Sequence, residues 1–232
     1  NHDAHRVVTR YGRADAHLMS SWTGSNLVNS DAPVDLELGH RRARAAALLV
    51  LGLPGAAYLY MGEELGLPEV LDIPDSARQD PIFARTEGRE KGRDGCRVPM
   101  PWTTDSANLN GFSSSSSAKA WMPQPKAWGS FSVEGQDDDC NSMLALYRQA
   151  LSYRVDMVKQ GEEIHFIGDG TDGLFSFTRG SYAVVVNTSE DAVEIPQEIM
   201  AGRGLILGSQ TGVFSTGEEA SYIAANSAVW LG

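Results

Sequence analysis

The sequence predicts an α/β layer of helices on a buried strand, followed by a small antiparallel β domain. Two observations carry this prediction. In residues 45–60 an apolar helix leads into a short apolar strand through a Gly/Pro turn, and after Gly161 apolar residues alternate with a period of two. The first pattern is typical of a parallel sheet covered by helices, and the second is typical of short antiparallel strands.

Two helices and one strand are predicted before Gly161. A Pro/Asp start signal opens a helix over residues 35–51, and a Gly/Pro turn ends it. Residues 56–60, AAYLY, read as a buried strand, and apolar residues at helical spacing predict a second helix over residues 141–159. The segment between the first three residues and residue 35 has no such pattern and is predicted to be a loop.

Residues 63–139 are predicted to form one long loop. Their apolar residues follow no sustained helical or strand periodicity, and they contain seven prolines and a run of five serines. A loop of this length is usually functional or disordered. Its tryptophans, Trp102, Trp121 and Trp128, favour an ordered loop, and each is expected to lie in the core of that loop.

The last part of the chain carries six short strand patterns separated by turn residues. They read EIHFIG, LFSFTR, YAVVVNTS, AVEIP, LILG and AVWLG. Short alternating strands of this kind predict a β sandwich. We therefore expect two domains, residues 1–160 with the helices and the long loop, and residues 161–232 with the sandwich.

The composition excludes several classes of partner. A net charge of -11 over 232 residues argues against nucleic acid or an anionic membrane as a partner, since both bind a basic face. The apolar runs are too short to cross a membrane, which takes about 20 residues. Two cysteines, Cys96 and Cys140, are too few for a disulfide framework or a zinc cluster and are predicted to be free thiols. Free thiols favour a reducing compartment, so we expect a cytoplasmic location.

Three stretches in this order resemble one enzyme family. NHDAHRVVTRYG (1–12), LPGAAYLYMGEELGL (53–67) and GRDGCRVPMPW (92–102) are similar to the C-terminal half of glycoside hydrolase family 13, the α-amylase superfamily, in its α-glucosidase and oligo-1,6-glucosidase branch. The resemblance implies the last part of a (β/α)8 barrel followed by an antiparallel β sandwich. It puts residues 1–3 at the end of the seventh strand and residues 56–60 in the eighth. We therefore expect the N-terminal half of the same barrel as the partner of this chain.

The resemblance also assigns site residues. Asp3 would bind the ring hydroxyls of the sugar and stabilise the transition state, with His2 beside it. Arg93, or second to it Arg97, would reach the non-reducing sugar and pair with an acid from the absent half. The nucleophile and the acid/base would also lie there, as would any calcium site, and no metal or other cofactor is expected in this chain. The implied substrate is an oligosaccharide or α-glucoside, from which terminal glucose is released with retention.

Other interpretations remain open at this stage. The same fold could serve a glucosyltransferase or an isomerase of the sucrose isomerase or trehalose synthase type. A non-catalytic barrel used as an interaction module is a third alternative, which the intact His2, Asp3 and Arg93 disfavour. Taken alone, His2 and Asp3 would read as a turn, and Arg93 as a salt bridge that braces its loop.

Overall fold

The computed structural model describes residues 1–14, 32–168, 170, 173–218 and 220–232. These residues form two compact units. One unit contains Asn1–His40 and Leu59–Leu144, and the other contains Arg41–Tyr58 and Ala145–Gly232. The boundary predicted between residues 160 and 161 stays a prediction. Among the described residues, no helix has both the length and the apolar character that crossing a bilayer requires.

Both long helices predicted from the sequence are present. In chain order the described α-helices are α1 Val7–Tyr11, α2 Leu36–Gly52, α3 Pro81–Arg85, α4 Val133–Asp137, α5 Met143–Lys159 and α6 Gln197–Met200. Helix α2 begins as predicted, because the Asp35 carboxylate accepts a hydrogen bond from the Leu38 amide at 2.9 Å.

Helix α1 corrects the prediction of a loop after the first three residues. Its position is set by α2, since a Cβ at Gly39 would lie only 2.2 Å from the carbonyl oxygen of Val8. Glycine at this position allows the two backbones to touch. A single turn stabilised by such a tertiary contact has no periodic signal of its own. The predicted loop at residues 15–31 lies outside the described residues.

The predicted strand at residues 56–60 is wrong for this chain. The segment is not paired in a sheet and is mostly exposed, with Tyr58 at 89% and Leu59 at 42% exposure. A parallel strand depends on backbone hydrogen bonds from neighbours on both sides. No such neighbour exists within the ranges that the structure describes.

Residues 63–139 contain only short helical turns, as expected for a loop. Besides α3 and α4 there are three 3-10 helices, at Asp75–Ala77, Asp94–Cys96 and Lys126–Phe131. The loop encloses a core that includes Leu65, Val98 and the fully buried Trp128. The prediction for Trp128 is therefore confirmed, whereas Trp102 and Trp121 are exposed and were predicted wrongly.

The last part of the chain forms two antiparallel sheets. One has the strand order β1-β2-β3-β8-β5, and the other has the order β4-β7-β6. The strands are β1 His165–Ile167, β2 Leu174–Arg179, β3 Tyr182–Asn187, β4 Val193–Ile195, β5 Leu205–Gly208, β6 Phe214–Thr216, β7 Ser221–Ile223 and β8 Ser227–Leu231. The six predicted strands are confirmed. Strands β6 and β7 were missed because each has only three residues within a Gly- and Ser-rich stretch.

Strand β3 is buried on both faces of its sheet, so its residues after Tyr182 are all buried. Ala183 and Val185 lie in a core shared with residues of the smaller sheet, such as Ile223. Val184 faces the other way, and a Cβ at Gly52, the last residue of α2, would lie 2.7 Å from its side chain. The Trp230 indole donates to the carbonyl of Leu48 in α2 at 3.0 Å. The sheet therefore packs on the C-terminal end of α2.

Two arginines satisfy the carbonyl groups at that helix end. Arg179, 1% exposed, donates to the carbonyls of Gly52 (3.4 Å) and Leu53 (3.2 Å) at the end of α2, and also to that of Gly161 (2.8 Å), which follows α5. Arg154 donates to the carbonyls of Leu53 (2.7 Å) and Gly55 (2.6 Å). The last carbonyls of a helix have no partner within the helix and carry partial negative charge, so guanidinium groups stabilise them.

Replacing Arg179 by Met is expected to lower the free energy of unfolding by about 2 kcal/mol, because buried carbonyls lose a charged donor. Urea denaturation followed by circular dichroism measures this change. The control is Arg85→Met, since Arg85 is exposed in the last turn of α3 and its loss should change stability by less than about 0.5 kcal/mol. Equal stability of the two variants would contradict a capping role for Arg179.

Candidate functional site

The four residues assigned to a sugar site lie together around the Asp3 carboxylate. Oδ1 of Asp3 accepts hydrogen bonds from Nη1 of Arg93 at 2.7 Å and from Nη2 of Arg97 at 3.2 Å. On the other side, Nε2 of His2 lies 3.2 Å from Oδ2. The Asp3 side chain is about half exposed. One carboxylate oxygen is thus held by two cations, and the other faces His2.

One helical turn positions both arginines. Arg93 and Arg97 are the residues that flank the 3-10 helix Asp94–Cys96, so they leave the chain one turn apart. Arg97 also donates from Nε to the His2 carbonyl at 2.9 Å, which ties the turn to the N-terminal segment. The family resemblance assigns the sugar contact to one arginine of this loop, Arg93 first and Arg97 second, whereas the structure directs both arginines to Asp3.

Asp80 is a member of this cluster that sequence reasoning missed. It is 3% exposed, and its Oδ2 accepts from Nε (2.6 Å) and from the backbone amide (3.0 Å) of Arg93. Burial acts to raise the pKa of Asp80, but hydrogen bonds from Arg93 and from the Ile82 amide outweigh it and lower that pKa to about 2. Arg93 was expected to pair with an acid of the absent half. Within the described residues its acid partners are Asp80 and Asp3.

The sequence contains a signal for Asp80 as a helix N-cap, but none for its pairing with Arg93. An Asp followed by Pro is typical of a helix N-cap with proline at the first helical position. Asp80 caps α3 in this way, accepting from the Ile82 amide at 3.2 Å. Its second role depends on Arg93, thirteen residues away, and that proximity comes from the path of the loop.

Arg6 and Glu69 form a buried pair next to the Asp3 cluster. The Arg6 amide donates to Oε2 of Glu69 at 2.8 Å, and its guanidinium donates to the carbonyls of Met61 (2.8 Å) and Cys96 (2.9 Å). That guanidinium also lies 5.5 Å from the ring centre of Tyr60. Because Cys96 is in the turn between the two site arginines, Arg6 fixes that turn.

The environment of Glu69 shifts its titration. Burial raises the pKa of Glu69 to about 7, although the hydrogen bond from the Arg6 amide and the charge of Arg6 act to lower it. Burial also raises the pKa of the Cys96 thiol, to about 12. That thiol is buried and free, and Cys140 is exposed and free, as predicted.

The cluster offers the groups that bind sugar hydroxyls. The arginines and His2 are donors, and Oδ2 of Asp3 is an acceptor at a partly open surface. Among the described residues there is no group of three or more His, Cys, Asp or Glu side chains that could hold a metal ion. The absence of a metal from this chain stays a prediction.

Comparison with known proteins identifies relatives of this chain. The chain is 35% identical over 175 residues to a probable alpha-glucosidase of Rhizobium meliloti, which covers 71% of this chain and 30% of that protein. It is 26% identical over 203 residues to an oligo-1,6-glucosidase of Saccharomyces cerevisiae, covering 77% of this chain and 31% of the relative. The crystal structure of the alpha-glucosyl transfer enzyme XgtA superposes with a TM-score of 0.71 at 29% identity, over all of this chain and 38% of XgtA.

These matches define the family and the extent of the similarity. The chain spans about a third of the length of the curated relatives that it matches. Residues 1–161 match the family described as alpha amylase, catalytic domain. This match contains the whole Asp3 cluster and all of α5. The fold is accordingly the C-terminal part of a (β/α)8 enzyme with its β domain, and the chain belongs to the alpha-amylase catalytic-domain family.

Proposed function

We propose that this chain forms the C-terminal part of an α-glucosidase, which releases terminal α-linked glucose from oligosaccharides with retention of configuration. The observation that carries the proposal is the Asp3 carboxylate, held through Oδ1 by Arg93 and Arg97 with Oδ2 open beside His2. Glycoside cleavage passes through an oxocarbenium-like state. A fixed carboxylate that binds the ring hydroxyls stabilises the sugar most when positive charge develops on the ring.

The proposal places the nucleophile and the acid/base outside residues 1–232. Cleavage requires two carboxyl groups that flank the bond. Asp80 is buried against Arg93 and cannot contact a substrate, so it supplies neither. The unpaired segment at residues 56–60, with Tyr58 exposed, offers an edge to which further barrel strands can add. We therefore propose the remaining barrel segments as the partner and expect residues 1–232 alone to be inactive.

The product anomer tests the reaction. We expect the natural protein that carries this sequence to hydrolyse p-nitrophenyl α-D-glucoside and maltose, and early proton NMR spectra to show α-glucose before mutarotation. Activity should persist in the presence of a chelator, since we propose no metal or other cofactor for residues 1–232. β-Glucose as the first product, or no cleavage of any α-glucoside, would contradict the proposed function.

Glucosyl transfer or isomerisation is the second candidate. It is favoured by the similarity to XgtA, a glucosyl transfer enzyme, and by 33% identity over 110 residues to a trehalose synthase/amylase of Mycobacterium tuberculosis. Chromatography of the products distinguishes the two functions. A hydrolase releases free glucose in proportion to nitrophenol, whereas a transferase or isomerase yields new disaccharides and little free glucose.

The free thiols Cys96 and Cys140 also support the proposal of a cytoplasmic location, which cell fractionation tests.

A further inference from the structure

Asp80 restricts how Arg93 can approach Asp3. The edge of the Arg93 guanidinium formed by Nε and Nη2 faces Asp80, with Nε at 2.6 Å from Oδ2 and Nη2 at 3.3 Å from Oδ1. Only Nη1 is directed to Asp3, which it meets at a single oxygen, Oδ1, at 2.7 Å. Arg93 therefore forms a two-point pair with Asp80 and a one-point contact with Asp3.

Asp80 is itself held rigidly. Its backbone amide, and that of Gln79, donate to Oδ2 of Asp94 at 3.0 and 2.7 Å. Its side chain accepts from the Ile82 amide at the start of α3. Gly92, with a φ of +73°, approaches so closely that a Cβ there would lie 2.6 Å from Cβ of Asp80. Asp80 is thus a fixed, buried anchor.

Without this anchor, Arg93 would be able to turn toward Asp3. A guanidinium and a carboxylate prefer a parallel two-point pair, which engages both carboxylate oxygens. Such a pair would cover Oδ2 of Asp3, the oxygen that in this structure lies beside His2. A sugar would then have to displace Arg93 before binding.

We propose that Asp80 is a positioning residue that keeps Arg93 on one oxygen of Asp3 and so leaves the other oxygen free for a sugar hydroxyl. This inference rests on the proposed function, in which Asp3 binds the sugar. Asp80 touches no substrate and acts mainly through Arg93, since its contact with Arg97 is a longer ion pair, 3.7 Å from Oδ2 to Nη1. Its loss should weaken substrate binding and leave the chemical step almost unchanged.

A double-mutant cycle tests this coupling in the natural protein that carries the sequence. The variants are Asp80→Asn, Arg93→Ala and the double variant, assayed for KM and kcat with p-nitrophenyl α-D-glucoside. Asparagine retains an acceptor for the cap of α3. We expect Asp80→Asn to raise KM by about tenfold to 100-fold with little change in kcat. In the Arg93→Ala background the same replacement should have a much smaller effect, because the guanidinium that forms a two-point pair with Asp80 is gone and only the 3.7 Å contact with Arg97 remains.

The matched control is Asp75→Asn, an exposed aspartate that pairs with Arg78 in the same loop, and its kinetics should be unchanged. Independent effects of Asp80→Asn and Arg93→Ala, or an unchanged KM in Asp80→Asn, would overturn the positioning role. An Asp3→Asn variant with full activity would instead overturn the proposed function, so the two failures are distinguishable.

A measurement without substitution covers the case in which Asp80→Asn fails to fold. In the ¹⁵N-labelled protein, the Nε–H signal of Arg93 should exchange slowly with solvent, and it should keep its chemical shift when methyl α-D-glucoside is added. Loss of protection on binding would mean that Arg93 leaves Asp80 to reach the sugar, and would overturn the inference.

Discussion

Replacing Asp3 by Asn should lower kcat for p-nitrophenyl α-D-glucoside about 10³-fold in the natural protein, with the fold unchanged. Asparagine has the shape of aspartate but lacks the charge, so Oδ2 no longer stabilises the developing oxocarbenium ion. Arg93 and Arg97, which donate to Oδ1 of Asp3, would then add uncompensated positive charge next to the reacting ring. Losing one preorganised electrostatic group in an active site typically costs 10²–10³ in rate, and two such effects combine here.

The control for this experiment is Asp156→Asn. Asp156 is an exposed aspartate paired with Lys159 at 2.7 Å on the surface of α5, and pairs of this kind contribute little. The kcat of the Asp156→Asn variant should equal that of the wild type. Circular dichroism spectra of both variants should match the wild-type spectrum. An Asp3→Asn enzyme with wild-type kcat would show that Asp3 has no part in catalysis.

Replacing Glu69 by Gln should remove a pH dependence of stability worth about 3 kcal/mol. Burial raises the pKa of this carboxyl to about 7, from about 4.5 in the unfolded chain. Between these two values the folded protein holds a proton that the unfolded chain has released. The stability that the protonated Glu69 contributes is therefore complete below about pH 4.5 and is lost as the pH rises through about 7.

The measurement is urea denaturation of wild type and Glu69→Gln at several values between pH 4 and pH 8.5. Glutamine stays neutral and keeps an oxygen that accepts from the Arg6 amide, as Oε2 of Glu69 does at 2.8 Å. The variant should match the wild type near pH 4 and be more stable above pH 7. Glu194→Gln is the control, because Glu194 is exposed on β4, and its pH profile should follow the wild type. Parallel profiles for all three proteins would exclude a proton bound by Glu69 in the folded state.

The two predictions with the largest effects concern Asp3, which a sequence motif identifies, and Glu69, which no motif identifies. Asp3 was found from the NHD triplet, together with two further motifs, because a family resemblance assigns it a role. Glu69 had no such signal, and its shift arises from burial beside Arg6, 63 residues away in the chain. Local patterns report what a residue does with its neighbours in sequence, whereas burial is a property of the packed chain.

The same division holds for the secondary structure. Periodicity of 3.6 and 2.0 correctly located α2, α5 and six strands, since these elements have a face that must be buried. It failed for residues 56–60, because a strand needs neighbouring strands in addition to its own apolar residues. It also failed for α1, a single turn that exists through its contact with Gly39.

The candidate site shows what each level of description supplies. Asp3, His2, Arg93 and Arg97 could be named from the order of residues along the chain, because motif residues are adjacent in sequence. The pairing of Arg93 with Asp80, and hence the oxygen of Asp3 that is left open, required the folded loop. Hydrogen bonds depend on distances within a few tenths of an ångström, and such distances between remote residues are set by how the intervening chain packs.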